Sequence, residues 1–221
     1  MRRGATATAA ALLLAAGGAA AHPHGRLACQ VQLGIEGGRL VWVAQRLTLD
    51  AASSAALAER LQVGAAEPLP KAVLQFRSLL LGLFRHSGWM LDLRAAGAEA
   101  AVALDDRAAT WRQRDDGRLE LSLTLAPTAP VAAPPGTPWA LACRDPVWYW
   151  VGEFAGDVAG PAVSATGATC AVQLDGPRDA AAEAAALTAA ARAAGALGAE
   201  QVAASATATP QLGAGRAELL C

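Results

Sequence analysis

The chain has 221 residues, 18 basic against 19 acidic side chains and 54% apolar residues, enough hydrophobic material for a real core, which excludes a disordered chain. A charge balance this close to neutral gives no electrostatic basis for binding nucleic acid or an anionic membrane surface. The length suits one ordinary domain or two small ones.

Residues 1–21 have the three parts of a secretory signal: Arg2 and Arg3, an apolar centre "AAALLLAA", and small residues ending in Ala19, Ala20 and Ala21. That centre is too short to stay in a bilayer as a helix, and no later stretch reaches the roughly 18 uninterrupted apolar residues of a permanent span. "RRGATATAA" lacks the bulky apolar residue that follows the arginine pair in twin-arginine signals, so general secretion is expected, with cleavage after Ala21. The mature chain then begins at His22 and is soluble outside the cytoplasm. A free amine and an imidazole on His22, with a second imidazole on His24, form a donor set that suits copper, nickel or zinc. Pro23 has no amide proton, which blocks the chelate built from an amine, two deprotonated amides and a third-position histidine. Further ligands must come from elsewhere, and Asp50 and His86 are candidates by residue type. The alternative is that "HPH" is only an exposed leader to the first strand.

Leu27, Cys29, Val31, Leu33 and Ile35 alternate with polar or small residues, which predicts a half-buried strand. "EGG" turns the chain, and "RLVWVAQRLTL" completes an opening hairpin. "AASSAALAERL" predicts a short helix capped by Asp50 or Ser53. Val73, Phe76, Leu80, Leu83 and Phe84 recur at helical spacing after two prolines, with Gly88 as the stop. "WMLDLRA", "EAAVALDD" and "ATWRQR" are expected as strands, followed by a "DDG" turn at 115–117. "RLELSLTLAP" is the clearest strand, with Leu119, Leu121, Leu123 and Leu125 on one face and Glu120, Ser122 and Thr124 on the other. The proline-rich run "APTAPVAAPPGTP" is expected to cross the surface without joining a sheet. "WALACRDPVWYWVGEF" then supplies two short strands around an Asp-Pro break, "AVSATGATCAVQL" another, and "GRAELLC" a closing one. Residues 178–197 read as an alanine-rich helix or a mobile segment. The sum is a single β-rich domain over 22–221, α+β or mainly β, antiparallel and sandwich-like, with two or three inserted helices.

Cys29, Cys143, Cys170 and Cys221 all lie in the mature part, an even number in an oxidising compartment, which points to two disulfides. Cys29 and Cys143 fall at inward strand positions and the other two lie towards the C-terminus. The favoured pairs are therefore Cys29 with Cys143 and Cys170 with Cys221, among three possible connectivities. No Cys-x-x-Cys, G-x-S-x-G, phosphate loop or dinucleotide fingerprint is present, so the expectation is not an enzyme. Asp105 with Asp106, and Asp115 with Asp116, sit beside turn signals and read as solvated loop residues. Trp148, Tyr149 and Trp150 read as core packing rather than a stacking platform, and His86 as a helix-end residue favoured by the dipole.

"AHPHG", "LTLDAASS", "CRDPVWYW" and "GRAELLC" together resemble the DUF1007 family, exported bacterial proteins described as the periplasmic component of an uncharacterised ABC-type transport system. The resemblance implies a periplasmic protein whose genes often neighbour nickel and cobalt transporters. It maps the family's HPH onto His22, Pro23 and His24, its aspartate after the hairpin onto Asp50, its Asp-Pro onto Asp145 and Pro146, and its late cysteine pair onto Cys170 and Cys221. Two departures stand out: "LACQ" replaces an acidic position, and no calcium-loop-like acidic stretch lies between Asp50 and Lys71. The resulting expectation is an accessory protein that holds a divalent transition metal (nickel, cobalt, copper or zinc) through His22 and His24 for a membrane metal transporter. The competing expectation is a non-enzymatic envelope interaction module without a metal site.

Overall fold

The structure is a computed structural model that describes residues 25–66, 68–95, 98–144, 150–156, 160–174 and 215–221. Strand β1 (Gly25–Glu36) turns through Gly37 and Gly38, both at positive φ, into β2 (Arg39–Leu49), the hairpin expected from "EGG". Helices α1 (Ala51–Leu61) and α2 (Lys71–His86) follow, then a 3-10 turn at Gly88–Met90 and strand β3 (Leu91–Ala95). The remaining strands are β4 (Leu104–Gln113), β5 (Leu119–Pro127), β6 (Val131–Ala132), β7 (Pro138–Cys143), β8 (Trp150–Phe154), β9 (Val163–Thr166), β10 (Ala171–Leu174) and β11 (Arg216–Leu220).

Two sheets form. The larger has the order β4-β5-β2-β1-β8, with β6 on β2 and β9 on β1; the smaller has the order β10-β11-β7-β3. Alternation explains their inner faces. Leu27, Cys29, Val31 and Leu33 of β1 are buried with Leu119, Leu121, Leu123 and Leu125 of β5, against Leu93, Trp139, Leu141 and Leu219 of the smaller sheet, in one continuous core. The expected β-rich α+β class is what these residues build. To it the larger sheet adds two parallel pairings, β8 and β9 against β1; β8 follows β7 of the smaller sheet, and β9 follows β8 within the larger one.

Cys29 of β1 is bonded to Cys143 of β7, across the two sheets, with Cα atoms 6.3 Å apart. Cys170 is bonded to Cys221, with Cα atoms 4.0 Å apart. Both favoured pairings therefore form. Strand β8 reaches the first bond only because Gly152 is a glycine, since a Cβ there would lie 2.7 Å from Cys143 Sγ. Gly215 is equally confined, its added Cβ falling 2.9 Å from the Cys143 carbonyl oxygen.

Several sequence expectations are corrected. "EAAVALDD" and "ATWRQR" merge into the single strand β4, with a bulge between Asp106 and Ala108 absorbing the misfit. Asp105 and Asp106 thus lie on a strand, and Asp106 accepts Arg85 at 2.7 Å; Asp115 and Asp116 do stand in the turn. "AVSATGATCAVQL" breaks into β9 and β10 of different sheets at Gly167, which has φ 80° and lies against the Ile35 carbonyl where no side chain fits. The proline-rich crossing does touch a sheet, since β6 pairs with Arg39 and Leu40 between its prolines. Trp89 and Met90 belong to the 3-10 turn and not to β3. Leu83, expected on the buried stripe of α2, is 55% exposed. Residues 1–21 and 178–197 lie outside the described residues.

The Cys29–Cys143 bond closes a sequence separation of 114 and the Cys170–Cys221 bond one of 51. Replacing both cysteines of the first pair by alanine should lower unfolding free energy by about 2–5 kcal/mol, and the same change in the second pair by roughly 0.6 kcal/mol less for one halving of loop length. Urea unfolding of the two double variants measures this; a larger loss from the second pair would show that the cross-sheet bond is not the dominant tie.

Candidate functional site

Strand β1 begins at Gly25, the residue after "HPH", in a crowded corner. A Cβ on Gly25 would lie 2.6 Å from Asp50 Oδ2 and 3.1 Å from Trp150 Cδ1, and would also strike Ser53 Oγ. Only glycine lets the chain enter here. Asp50 closes the open end of the hairpin, its amide donating to the Arg26 carbonyl at 3.0 Å and its Oδ2 accepting the Arg26 amide. The same side chain caps α1, accepting the Ser53 amide at 2.8 Å and the Ser53 hydroxyl at 3.1 Å, so Asp50 is the cap of the two candidates. Burial pushes the Asp50 carboxyl upward, but the amides of Ser53 and Arg26 and the Ser53 hydroxyl outweigh it and hold the group below its ordinary value. It is a fixed anion against Gly25, the residue that follows His24 in the sequence.

Trp150, in parallel register with Gly25, forms the floor of this corner. Its ring stacks on Phe84 at 5.5 Å and 6°, which makes Trp150 the core residue expected of it. His86, in the last turn of α2 two residues beyond Phe84, is exposed. Arg26 reaches Glu153 at 2.8 Å on the surface.

The structure thus brings Asp50 to the residue that follows the histidines, a proximity that spacing alone did not reveal. His22, His24, Asp145, Pro146, Trp148 and Tyr149 lie outside the described residues. Among the described residues no group of three or more His, Cys, Asp or Glu stands together to hold a metal ion, so Asp50 and His86 share no such cluster there. All four cysteines are bonded and contribute no thiolate.

Sequence reasoning missed a buried anion. Glu120, assigned to the solvent face of β5, is fully buried and accepts Arg112 Nε at 2.7 Å, Arg114 Nη1 at 3.1 Å and Ser122 Oγ at 3.1 Å. Burial alone would raise its carboxyl, yet the arginines hold it below the ordinary range. Asp92 behaves alike: burial opposes ionisation, while Arg94 and Arg144 bind both oxygens and win. The signal for the first cluster was present, because a "DDG" turn centred near 116 sets Arg112 directly opposite Glu120.

A model of the family described as "Protein of unknown function (DUF1007)" matches residues 7–214. No curated protein matches the chain.

Asp50, Asp92 and Glu120 bind protons less readily folded than unfolded. Their stabilisation is therefore complete above the ordinary values of 3.8 and 4.5 and drains as pH falls through the lower folded values. The urea midpoint should stay level from pH 7 to about 5 and fall below about 4.5. Glu120→Gln should make that acid limb shallower; an unchanged limb in this variant would remove Glu120 from the account.

Proposed function

The chain belongs to the DUF1007 family, and from that premise we propose that it is an exported periplasmic accessory protein that holds a divalent transition-metal ion for a membrane metal transporter. Nickel, cobalt, copper and zinc are the candidate cargoes, taken up and released without chemical change. The observation that carries the reading is the contact of Gly25 with Asp50, which sets an ionised carboxylate beside the residue that follows His24 in the sequence. With cleavage after Ala21, the amine and imidazole of His22, the imidazole of His24 and Asp50 form a nitrogen-rich set that suits these ions better than calcium. A carboxylate offers about four lone-pair directions; the Ser53 amide, the Ser53 hydroxyl and the Arg26 amide occupy three, and the Ala52 amide also acts on the group. Asp50 thus supplies at most one metal bond. His86 is the remaining candidate ligand, from the end of α2.

Export agrees with the two disulfides, which persist in oxidising compartments. No helix among the described residues is long and apolar enough to cross a membrane.

The second reading, an envelope interaction module, draws support from α2, where Leu74, Leu79 and Leu83 are 49%, 62% and 55% exposed. Untagged protein from the periplasm of expressing cells separates the two. Native mass spectrometry after addition of nickel, cobalt, copper and zinc should show a chain starting at His22 with one bound ion. His22→Ala with His24→Ala should abolish that ion, and affinity in the parent should fall by roughly tenfold per pH unit per ligating histidine below about 6.5. Binding that survives the double variant or persists unchanged to about pH 4.5 overturns histidine ligation. No ion under any of these additions would favour the interaction module.

A further inference from the structure

The outer face of the larger sheet carries a cleft of about 370 Å³, at the lower end of the range of small-molecule sites. Cross-strand register explains why it is hollow. One row of outward side chains runs Thr110, Ser122, Arg46, Gln30 across β4, β5, β2 and β1; the next runs Ala108, Thr124, Ala44, Gln32 and on to Ser164 of β9. The two alanines leave a depression between polar neighbours. Its wall is the segment at Gly160 and Pro161, pinned by the Gln30 amide on the Gly160 carbonyl at 3.2 Å and by the Val31 amide on the Ala162 carbonyl at 2.9 Å. The wall is thus held by one backbone tie, from Val31, and one side-chain tie, from Gln30.

Arg46 decides its chemistry. The guanidinium lines the cleft beside Gly160 and makes no hydrogen bond or ion pair with any other described residue. Glu120, one row along, is already held by Arg112 and Arg114, so it does not neutralise Arg46. Among the described residues no carboxylate lines the cleft, which disfavours a cation, and its hydroxyls and amides favour a ligand with polar groups. A guanidinium takes a carboxylate through two parallel N–H bonds, while Thr110, Thr124 and Ser164 both donate to and accept from hydroxyl groups and Ser122, whose proton goes to Glu120, accepts.

We propose that this cleft binds a small hydroxylated carboxylate, its carboxylate on Arg46 and its hydroxyls on the serine and threonine rows. The site is independent of the metal reading, since it lies on the outer sheet face and uses none of the histidines.

Gluconate, tartrate and malate are the probes, with glucose as the uncharged control and sulfate as the anion without carbon-bound hydroxyls, added to the chelator-treated full protein. Amide NMR shifts locate binding and calorimetry measures it. At least one hydroxy acid should shift the amides of Thr124, Gln32 and Ser164, more tightly than glucose or sulfate. Arg46→Gln should weaken it by roughly tenfold or more. Ala44→Leu, which fills the depression without touching charge, should weaken it as well, and far-UV spectra identical to the parent would certify both folds. The proposal is overturned if no hydroxy acid shifts these amides at about 10 mM, if binding survives both substitutions, or if sulfate or glucose binds as well as the hydroxy acids.

Discussion

The bond between Cys29 and Cys143 is the constraint on which the rest of the molecule depends. It joins β1, which pairs with β2, β8 and β9 in the larger sheet, to β7, which sits between β11 and β3 in the smaller one. Gly152 leaves the space that the Cys143 sulfur needs, and Gly215, at the start of β11, lets the chain pass against the Cys143 and Gly152 backbone at the same spot. Leucines and Trp139 then fill the remaining interlayer volume. A side chain at either glycine would push the sheets apart where they are covalently tied together.

Strand β1 also divides the labour of the fold by parity. Its inward residues, Leu27, Cys29, Val31 and Leu33, build the core; its outward Gln30 and Gln32 face the cleft; and its first residue, Gly25, presses on Asp50. Register fixed by the buried side therefore fixes the geometry of the two candidate sites on the other side and at the end. A one-residue slip would invert all three at once.

Period-two alternation was enough to read the core strands and, through inward parity, the Cys29–Cys143 pair; Cys170 with Cys221 followed from their shared place towards the C-terminus. Asp50 was legible as a helix cap and as a site candidate, because capping chemistry is local. What alternation along one strand does not show is what crosses between strands. Glu120 reads as a solvated residue until Arg112, its partner on β4, covers it. The same holds for Arg46, whose solitude in the cleft depends on which strands lie beside β2. "AVSATGATCAVQL" has unbroken strand character, and only the closeness of Gly167 to Ile35 shows why it divides. Leu83 fits the helical stripe by spacing, yet α2 buries a face narrower than its apolar pattern.

The bonded cysteines follow one another in the chain, the first with the second and the third with the fourth. A polypeptide that enters an oxidising space N-terminus first, and joins each new thiol to the one still waiting, reaches this connectivity by order of arrival. In such a passage Cys143 would meet a lone Cys29 before Cys170 arrives. Nested or interleaved pairings would need a thiol to be passed over and later reshuffled by an isomerase; this arrangement asks only for an oxidant.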